Sequence, residues 1–204
     1  MAEREKSALY PGATWAECIE LIKKISSFNL KAVSYQELAK KYGLSSTTTK
    51  SFTAKIGAAK QFGLVTTAQG NTIHLTDASK KLLYPTGESV RGVELTCFAQ
   101  APLYSKLISK YDGMALPAQE LLANILMNEY RITRSVKDSA AKCFLESAEQ
   151  LELIKGGILC YTDAENEPEE PTAKQPVTEE TDIPTQVIAP PTPSAAAQVV
   201  QVPV

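Results

Sequence analysis

Residues 34–52, with the sequence SYQELAKKYGLSSTTTKSF, contain the signals that decide the fold. Ser34 and Glu37 form a capping-box pattern, which predicts the start of a short helix. Gly43 can adopt the left-handed backbone conformation that commonly ends a helix, so a tight turn is expected there. Ser45 or Ser46 is the predicted cap of a longer helix. Two helices joined by so short a turn are typical of a helix-turn-helix unit.

The residues on either side extend this unit by a helix and a β-hairpin. Residues 14–28 carry apolar side chains at helical spacing, which predicts a first helix. Two short runs rich in Thr, Val and Ile, at 64–67 and 72–75, flank a turn signal at 68–71 and predict a hairpin. Thr76 is the predicted cap of a further short helix that ends at Leu83.

This succession of three helices and a hairpin, from Thr14 to Leu83, resembles the winged-helix domains of prokaryotic transcription regulators. In a helix-turn-helix protein, the N-terminal end of the recognition helix meets the major groove of DNA. The resemblance therefore implies a DNA-binding protein with a regulatory or architectural role.

The second half of the chain repeats the pattern approximately. Residues 114–121, MALPAQEL, parallel residues 31–38, KAVSYQEL, and a match near residue 130 follows, where YRIT parallels YGLS. Helices are predicted from Pro102 to Tyr111, from about Arg134 to Leu151 and, as a link between the copies, at 88–100. A second hairpin is predicted at 153–161.

The predicted fold is mainly α with short β-hairpins, in the form of two tandem winged-helix domains and a disordered tail. The predicted divisions are a flexible arm at 1–12, a first winged-helix domain at 13–86, a linking helix at 87–101, a second winged-helix domain at 102–161 and the tail at 162–204.

The charged residues are distributed unequally along the chain. Residues 162–204 contain eight acids and one base, whereas residues 1–161 have a net charge of +5. The tail also contains eight of the twelve prolines and no aromatic residue, so it cannot bury enough apolar surface to offset its ordering entropy. We expect the tail either to compete with DNA for the basic body or only to add solubility.

Residues suited to catalysis are sparse. The chain has one histidine, His74, which is expected on an exposed or edge strand, and it has no Gly-rich phosphate loop. The four cysteines lie far apart, which is typical of a reducing compartment. We therefore predict a cytoplasmic protein without enzyme activity, cofactor or metal site. No apolar run is long enough for a membrane-spanning helix, so no membrane partner is predicted.

Binding to duplex DNA has better support, because the helix after the turn begins with hydroxyl and cationic side chains. Such groups at a helix N-terminus can contact phosphate oxygens. Lys40, Lys41 and Lys60 are expected to flank the site. The predicted DNA-binding residues are Ser46, Thr47, Thr48, Lys50, Ser51 and Lys55, together with Gln69 and Asn71 in the hairpin turn.

The second copy favours an alternative. Its last helix combines basic residues with Asp138, Glu146 and Glu149, and such mixed charge suits a protein contact better than a phosphate track. The body charge is also modest for a DNA-binding domain. The alternative function is a winged-helix protein–protein interaction module or assembly scaffold, with a protein partner or self-association through residues 102–161.

Overall fold

The structure, a computed structural model, describes residues 6–30, 32–69, 71–85 and 89–166. More than half of these residues are helical, and short strands form two small antiparallel sheets. The prediction of a mainly α fold with short hairpins is therefore confirmed.

The first two helices begin at the predicted capping boxes. In α1 (Trp15–Ser26), the Thr14 hydroxyl accepts a hydrogen bond from the Glu17 N–H at 3.4 Å, and the Glu17 carboxylate accepts one from the Thr14 N–H at 3.0 Å. Ser34 and Glu37 form the same reciprocal pair at the start of α2 (Tyr35–Lys41). Gly43, with a φ of 69°, forms the left-handed turn after α2.

The third helix, α3 (Lys50–Gln61), begins later than predicted, so the assignment of Ser45 or Ser46 as its cap is wrong. The Ser46 hydroxyl accepts a hydrogen bond from the Thr48 N–H at 3.2 Å. This local turn offers the backbone an alternative to helix, and α3 starts only after it. Thr49 occupies the N-cap position, and its side chain makes no capping hydrogen bond.

The hairpin of the first half is confirmed and belongs to a three-stranded sheet. Strands β2 (Val65–Ala68) and β3 (Thr72–Leu75) pair antiparallel. A two-residue strand, β1 (Val33–Ser34), pairs with the other side of β3 and is too short to show an alternating sequence pattern. His74 consequently lies half-buried on the middle strand, which corrects the expectation of an exposed or edge position.

Three helices follow this sheet: α4 (Asp77–Leu83), α5 (Val90–Gln100) and α6 (Pro102–Tyr111). The bounds of α4 and α6 agree with the predictions, and α5 ends as predicted but begins at Val90, after the N-cap Ser89. The second half continues with α7 (Gln119–Tyr130), α8 (Lys137–Gln150), β4 (Ile154–Lys155), β5 (Ile158–Leu159) and α9 (Tyr161–Asn166). The second hairpin is confirmed, and α8 begins three residues after the predicted Arg134.

Backbone hydrogen bonds recur at matching positions of the two halves. The Leu64 N–H donates to the Ala59 carbonyl at 2.8 Å after α3, and the Leu153 N–H donates to the Ala148 carbonyl at 2.8 Å after α8. In both halves, a short segment before the middle helix also pairs with the second hairpin strand. These matches favour the predicted internal repeat.

Left-handed residues recur at matching positions as well. Gly43 and Gly63 follow α2 and α3 with φ values of 69° and 67°. Arg131 and Glu152 follow α7 and α8 with φ values of 57° and 52°. A residue with a side chain loses about 1–2 kcal/mol in this conformation. The second half therefore contains backbone strain at two turns where the first half has glycine.

Replacement of Glu152 by glycine is expected to raise the free energy of unfolding by about 1 kcal/mol, because glycine adopts the left-handed conformation without steric conflict. Chemical denaturation monitored by circular dichroism measures the change. Glu149→Gly, at an exposed position inside α8, is the matched control and should lower the free energy of unfolding by about 1 kcal/mol. A loss of stability in both variants would contradict the prediction.

An aromatic cluster joins the two halves. It consists of Trp15, Phe62, Phe98, Tyr104 and Phe144, all buried. Ring centroids lie 5.4 Å apart for Trp15 and Phe62, 5.6 Å for Phe62 and Tyr104, and 5.0 Å for Tyr104 and Phe144. These residues belong to one continuous hydrophobic core. The two halves therefore share a core across the predicted linking helix.

The described part of the predicted flexible arm, residues 6–12, is held by both halves. The Ala8 N–H donates to the Arg131 carbonyl at 3.0 Å, and the Tyr10 carbonyl accepts a hydrogen bond from the Gln61 side chain at 2.9 Å. These bonds correct the expectation of a loose segment for residues 6–12. Residues 1–5 of the predicted arm lie outside the described residues.

The start of the predicted tail is also corrected, because residues 162–166 complete α9. The Asp112 carboxylate accepts hydrogen bonds from the backbone N–H groups of Tyr161 at 2.8 Å and Thr162 at 3.3 Å. Ala164 is buried. The rest of the predicted tail, from residue 167, lies outside the described residues. A truncation that tests competition between tail and DNA must therefore retain Asn166.

Candidate nucleic-acid interface

One side of α3 is buried and the other side is largely exposed. Phe52, Ile56 and Ala59 are buried in the core. Residues spaced three or four apart lie on the opposite side, and we call this set the α3 face: Lys50, Thr53, Gly57 and Lys60. Three of them are exposed and Gly57 is half-buried. The α3 face therefore presents two cations, and α3 as a whole contains no acidic residue.

Two predicted residues, Lys50 and Ser51, form the exposed first turn of α3. The first turn has neither a side-chain cap nor an acidic residue, so no side chain neutralises the positive end of the helix dipole. Lys50 forms no ion pair with any of the described residues. The first turn therefore combines a lysine with backbone N–H groups that can bind an anion.

The predicted residues Ser46, Thr47 and Thr48 lie in the turn just before α3. The Ser46 and Thr48 hydroxyls bond to each other at 2.8 Å. Thr47 is half-buried and lines a polar cleft of about 310 Å³ with Gln36 and Lys40. The structure thus collects these side chains at the N-terminal end of α3. Because two of the hydroxyls already have partners, their capacity to contact phosphate is smaller than predicted.

Lys55 points away from the α3 face, which corrects the prediction that it lies on the outer side of the helix. Its ammonium group is 3.2 Å from the Glu17 carboxylate of α1 and 5.5 Å from the centre of the Tyr42 ring. The Lys55 side chain is only 17% exposed. Its ammonium group thus already has a carboxylate partner on α1 and little access to solvent.

Gln69 and Asn71 are exposed in the turn between β2 and β3. Asn71 has a φ of 55°, and its carbonyl accepts a hydrogen bond from the Tyr35 N–H at 2.9 Å. This bond joins the hairpin turn to the start of α2 rather than to the first turn of α3. A DNA contact by Gln69 and Asn71 remains a prediction.

Sequence reasoning missed Thr53 and Gly57 and gave Lys60 only a flanking role. Helical spacing contains the signal that identifies these residues. When residues 52, 56 and 59 are buried, residues 50, 53, 57 and 60 form the exposed side of the helix. Counting cations and hydroxyls near the helix start favoured Lys55 instead.

Gly57 has no packing role in the described structure. A Cβ atom at this position would meet no atom within 4 Å. Glycine inside a helix nevertheless lowers stability by about 0.5–1 kcal/mol relative to alanine. Glycine is typical of positions where a backbone approaches a ligand closely, and Gly57 lies between the two lysines of the α3 face.

The helix that matches α3 in the second half, α8, is buried on two sides. The Ser147 hydroxyl accepts a hydrogen bond from the Trp15 N–H at 3.0 Å, and the Gln150 side chain accepts one from the Ala16 N–H at 2.8 Å. Phe144 faces the core. The exposed part of α8 carries both acids and bases, and Lys142 lies 3.6 Å from Glu146. Its surface is therefore less suited to DNA than the α3 face.

The cysteines and the metal-binding potential of the described residues bear on two other kinds of site. All four cysteines are unpaired, and burial raises the pKa of the Cys97 and Cys143 thiols to about 11. Burial also raises the pKa of the Cys18 thiol. These thiols stay protonated near neutral pH, which makes them poor nucleophiles. Within the described ranges, no group of three His, Cys, Asp or Glu side chains is placed to hold a metal ion.

Comparison of the chain with protein-family models, with curated proteins and with solved structures gives no match. The α3 face is therefore the feature of the molecule that points to a function. Among the described residues, no helix combines the length and apolar character that crossing a membrane requires.

Proposed function

We propose that the protein is a tandem winged-helix protein that contacts duplex DNA through the α3 face, in a regulatory or architectural role. In the first half, α2, the turn at Gly43 and α3 form the helix-turn-helix, and β2 and β3 form the wing. In such a unit the second helix, here α3, lies in the major groove.

The composition and exposure of the α3 face are the observation that carries this proposal. Lys50 and Lys60 are exposed at opposite ends of α3, with Thr53 and Gly57 between them. Ten residues of helix span about 15 Å, and the major groove of DNA is about 12 Å wide. The two lysines can therefore reach phosphates on both sides of the groove while the middle of the helix approaches the bases.

Titration of the full chain with duplex DNA of random sequence, at several NaCl concentrations, tests the proposal. Each phosphate contact contributes about 0.9 to the slope of log affinity against log salt, so two lysines give a slope of magnitude at least about 1.8. Binding that does not change with salt, or no binding at low salt, would refute the proposal.

Replacement of Gly57 by alanine is expected to change stability and binding in opposite directions. The free energy of unfolding should rise by about 0.5–1 kcal/mol, since alanine is the better helix former and its methyl group meets open space. Affinity for duplex DNA should fall several-fold, because the methyl group separates the helix backbone from the groove. Thermal unfolding and a DNA titration measure the two effects.

Gly92→Ala is the matched control for Gly57→Ala. Gly92 lies in α5, away from the α3 face, and a Cβ there would be 3.4 Å from the Ser89 hydroxyl. This control should alter stability without altering affinity for DNA. If Gly57→Ala binds DNA as tightly as the unmodified protein, α3 does not approach the duplex closely.

A protein contact is the second candidate function, and exposed apolar residues in the second half favour it. Met114 is 58% exposed and Ile158 is 40% exposed, on segments joined by the hydrogen bond from the Leu159 N–H to the Met114 carbonyl at 3.0 Å. Sedimentation of the purified chain distinguishes self-association from a monomer. A dimer that dissociates on Ile158→Asp would support an interface in residues 102–161.

A further inference from the structure

A cleft at the corner between α7 and α8 collects three cations from two separate segments. Its volume is about 480 Å³, within the range of ligand sites in proteins. We call it the arm cleft, and the residues that line it are Lys6, Met127, Arg131, Ile132, Thr133 and Arg134. This lining contains no acidic residue, so the arm cleft is suited to an anion.

Two hydrogen bonds hold the N-terminal segment against this corner. The Ala8 N–H donates to the Arg131 carbonyl at 3.0 Å, and the Ser7 hydroxyl accepts a bond from the Thr133 N–H at 3.3 Å. Lys6 is the residue before Ser7, so these bonds bring its side chain to the two arginines. The cluster of cations is therefore a product of the fold and not of sequence proximity.

Among the described residues, the charges near the arm cleft leave it with an excess of positive charge. Glu129 is already paired with Lys110, at 2.6 Å. Asp138 lies exposed one turn beyond Arg134. Within the described part of the chain, Lys6, Arg131 and Arg134 take part in no ion pair. Exposed cations without partners bind an anion without first breaking a protein contact.

The arm cleft occupies the position in the second half that the polar cleft beside α3 occupies in the first. Ser45 and Ser46 follow the left-handed Gly43 in the first half, and Thr133 and Arg134 follow the left-handed Arg131 in the second. The same corner is concave in both halves, but its lining has one cation, Lys40, among amide and hydroxyl side chains in the first half, and three cations with one hydroxyl in the second.

We propose that the arm cleft binds a phosphate group of the DNA backbone, so that the second half contacts the duplex through this corner and not through α8. Arginine suits this role because its planar guanidinium group donates two parallel hydrogen bonds to a phosphate. This inference rests on the proposed function, since its ligand is part of the same duplex.

The test is a titration of the full chain with duplex DNA of random sequence over a series of NaCl concentrations. The variant is Arg131→Gln with Arg134→Gln, which removes two charges and keeps side chains of similar length. Its control is Lys23→Gln with Lys106→Gln, which removes two charges from exposed positions outside both clefts. The arginine variant should bind several-fold more weakly at low salt, with a salt slope smaller by about 0.9, and the control should not.

The outcomes separate this inference from the proposed function. Equal binding by the arginine variant and its control overturns the arm cleft alone. Weakened binding by the arginine variant, with no effect of substitutions at Lys50 and Lys60, supports the arm cleft and overturns the α3 face. No duplex binding by the unmodified chain overturns both. Displacement of the duplex by inorganic phosphate, at concentrations too low to change the ionic strength, assigns the cleft to a free phosphate ligand and overturns the inference.

Discussion

Replacement of both Lys50 and Lys60 by glutamate is expected to weaken the binding of duplex DNA by at least about tenfold at low salt and to reduce the salt slope by about 1.8. Each lysine contributes one phosphate contact in the proposed complex, and each glutamate adds repulsion. Both residues are exposed, so the substitutions should leave the fold intact. Titrations of both proteins over the same NaCl series measure the change.

Two control variants test whether the loss of affinity is specific to the α3 face. Lys23→Glu with Lys106→Glu makes the same change in net charge outside the α3 face and should reduce affinity much less. Lys55→Gln removes the ion pair with Glu17 and should lower stability slightly without changing the salt slope. If the two glutamate variants bind equally weakly, the loss of affinity follows net charge alone, and the proposed role of the α3 face is wrong.

Replacement of Phe62 by alanine should lower the free energy of unfolding by about 3–5 kcal/mol, the usual loss for a large buried aromatic residue. Phe62 is fully buried, and its ring lies 5.4 Å from that of Trp15 and 5.6 Å from that of Tyr104. Urea denaturation measures the loss. Phe28→Ala, at a half-buried ring near the end of α1, is the control and should produce a loss of about 1 kcal/mol.

The same experiment shows whether the halves unfold together. Trp15 is the only tryptophan, and its backbone N–H donates to Ser147 of α8, so its fluorescence reports the contact between the halves, whereas circular dichroism reports the helices of both. Because the aromatic cluster joins the halves, both signals should change at one urea concentration in the unmodified protein. Two separate transitions would show that the halves are independent domains and would contradict a shared cooperative core.

The signals that were predicted correctly are local ones. The capping boxes at Thr14 and Ser34 lie within four residues, and so does the left-handed turn at Gly43. The start of α3 was predicted wrongly because several consecutive hydroxyl residues can all act as caps. The sequence does not show that the Ser46 hydroxyl accepts a hydrogen bond from the Thr48 N–H, which places Ser46 in a turn before the helix.

The errors at the candidate site have two different origins. Lys55 follows Phe52 by three residues and precedes Ala59 by four, so helical spacing already places it on the buried side of α3, whereas its partner Glu17 lies in a different helix and is not visible in the local pattern. The position of Lys6 beside Arg131 and Arg134 depends on hydrogen bonds that cross more than a hundred residues of sequence. Helical spacing alone, by contrast, contains the information that identifies Thr53 and Gly57.

The aromatic cluster has a mechanical consequence for any complex with DNA. When two binding domains are tethered by a flexible linker, the linker sets the effective concentration of the second domain and tolerates many ligand shapes. Here Phe62, Tyr104 and Phe144 hold the halves together by direct packing. In the proposed complex, packing and not a linker therefore sets the separation between the α3 face and the arm cleft. We expect a duplex whose phosphates match that separation to bind without bending, and a duplex that does not match to require deformation first.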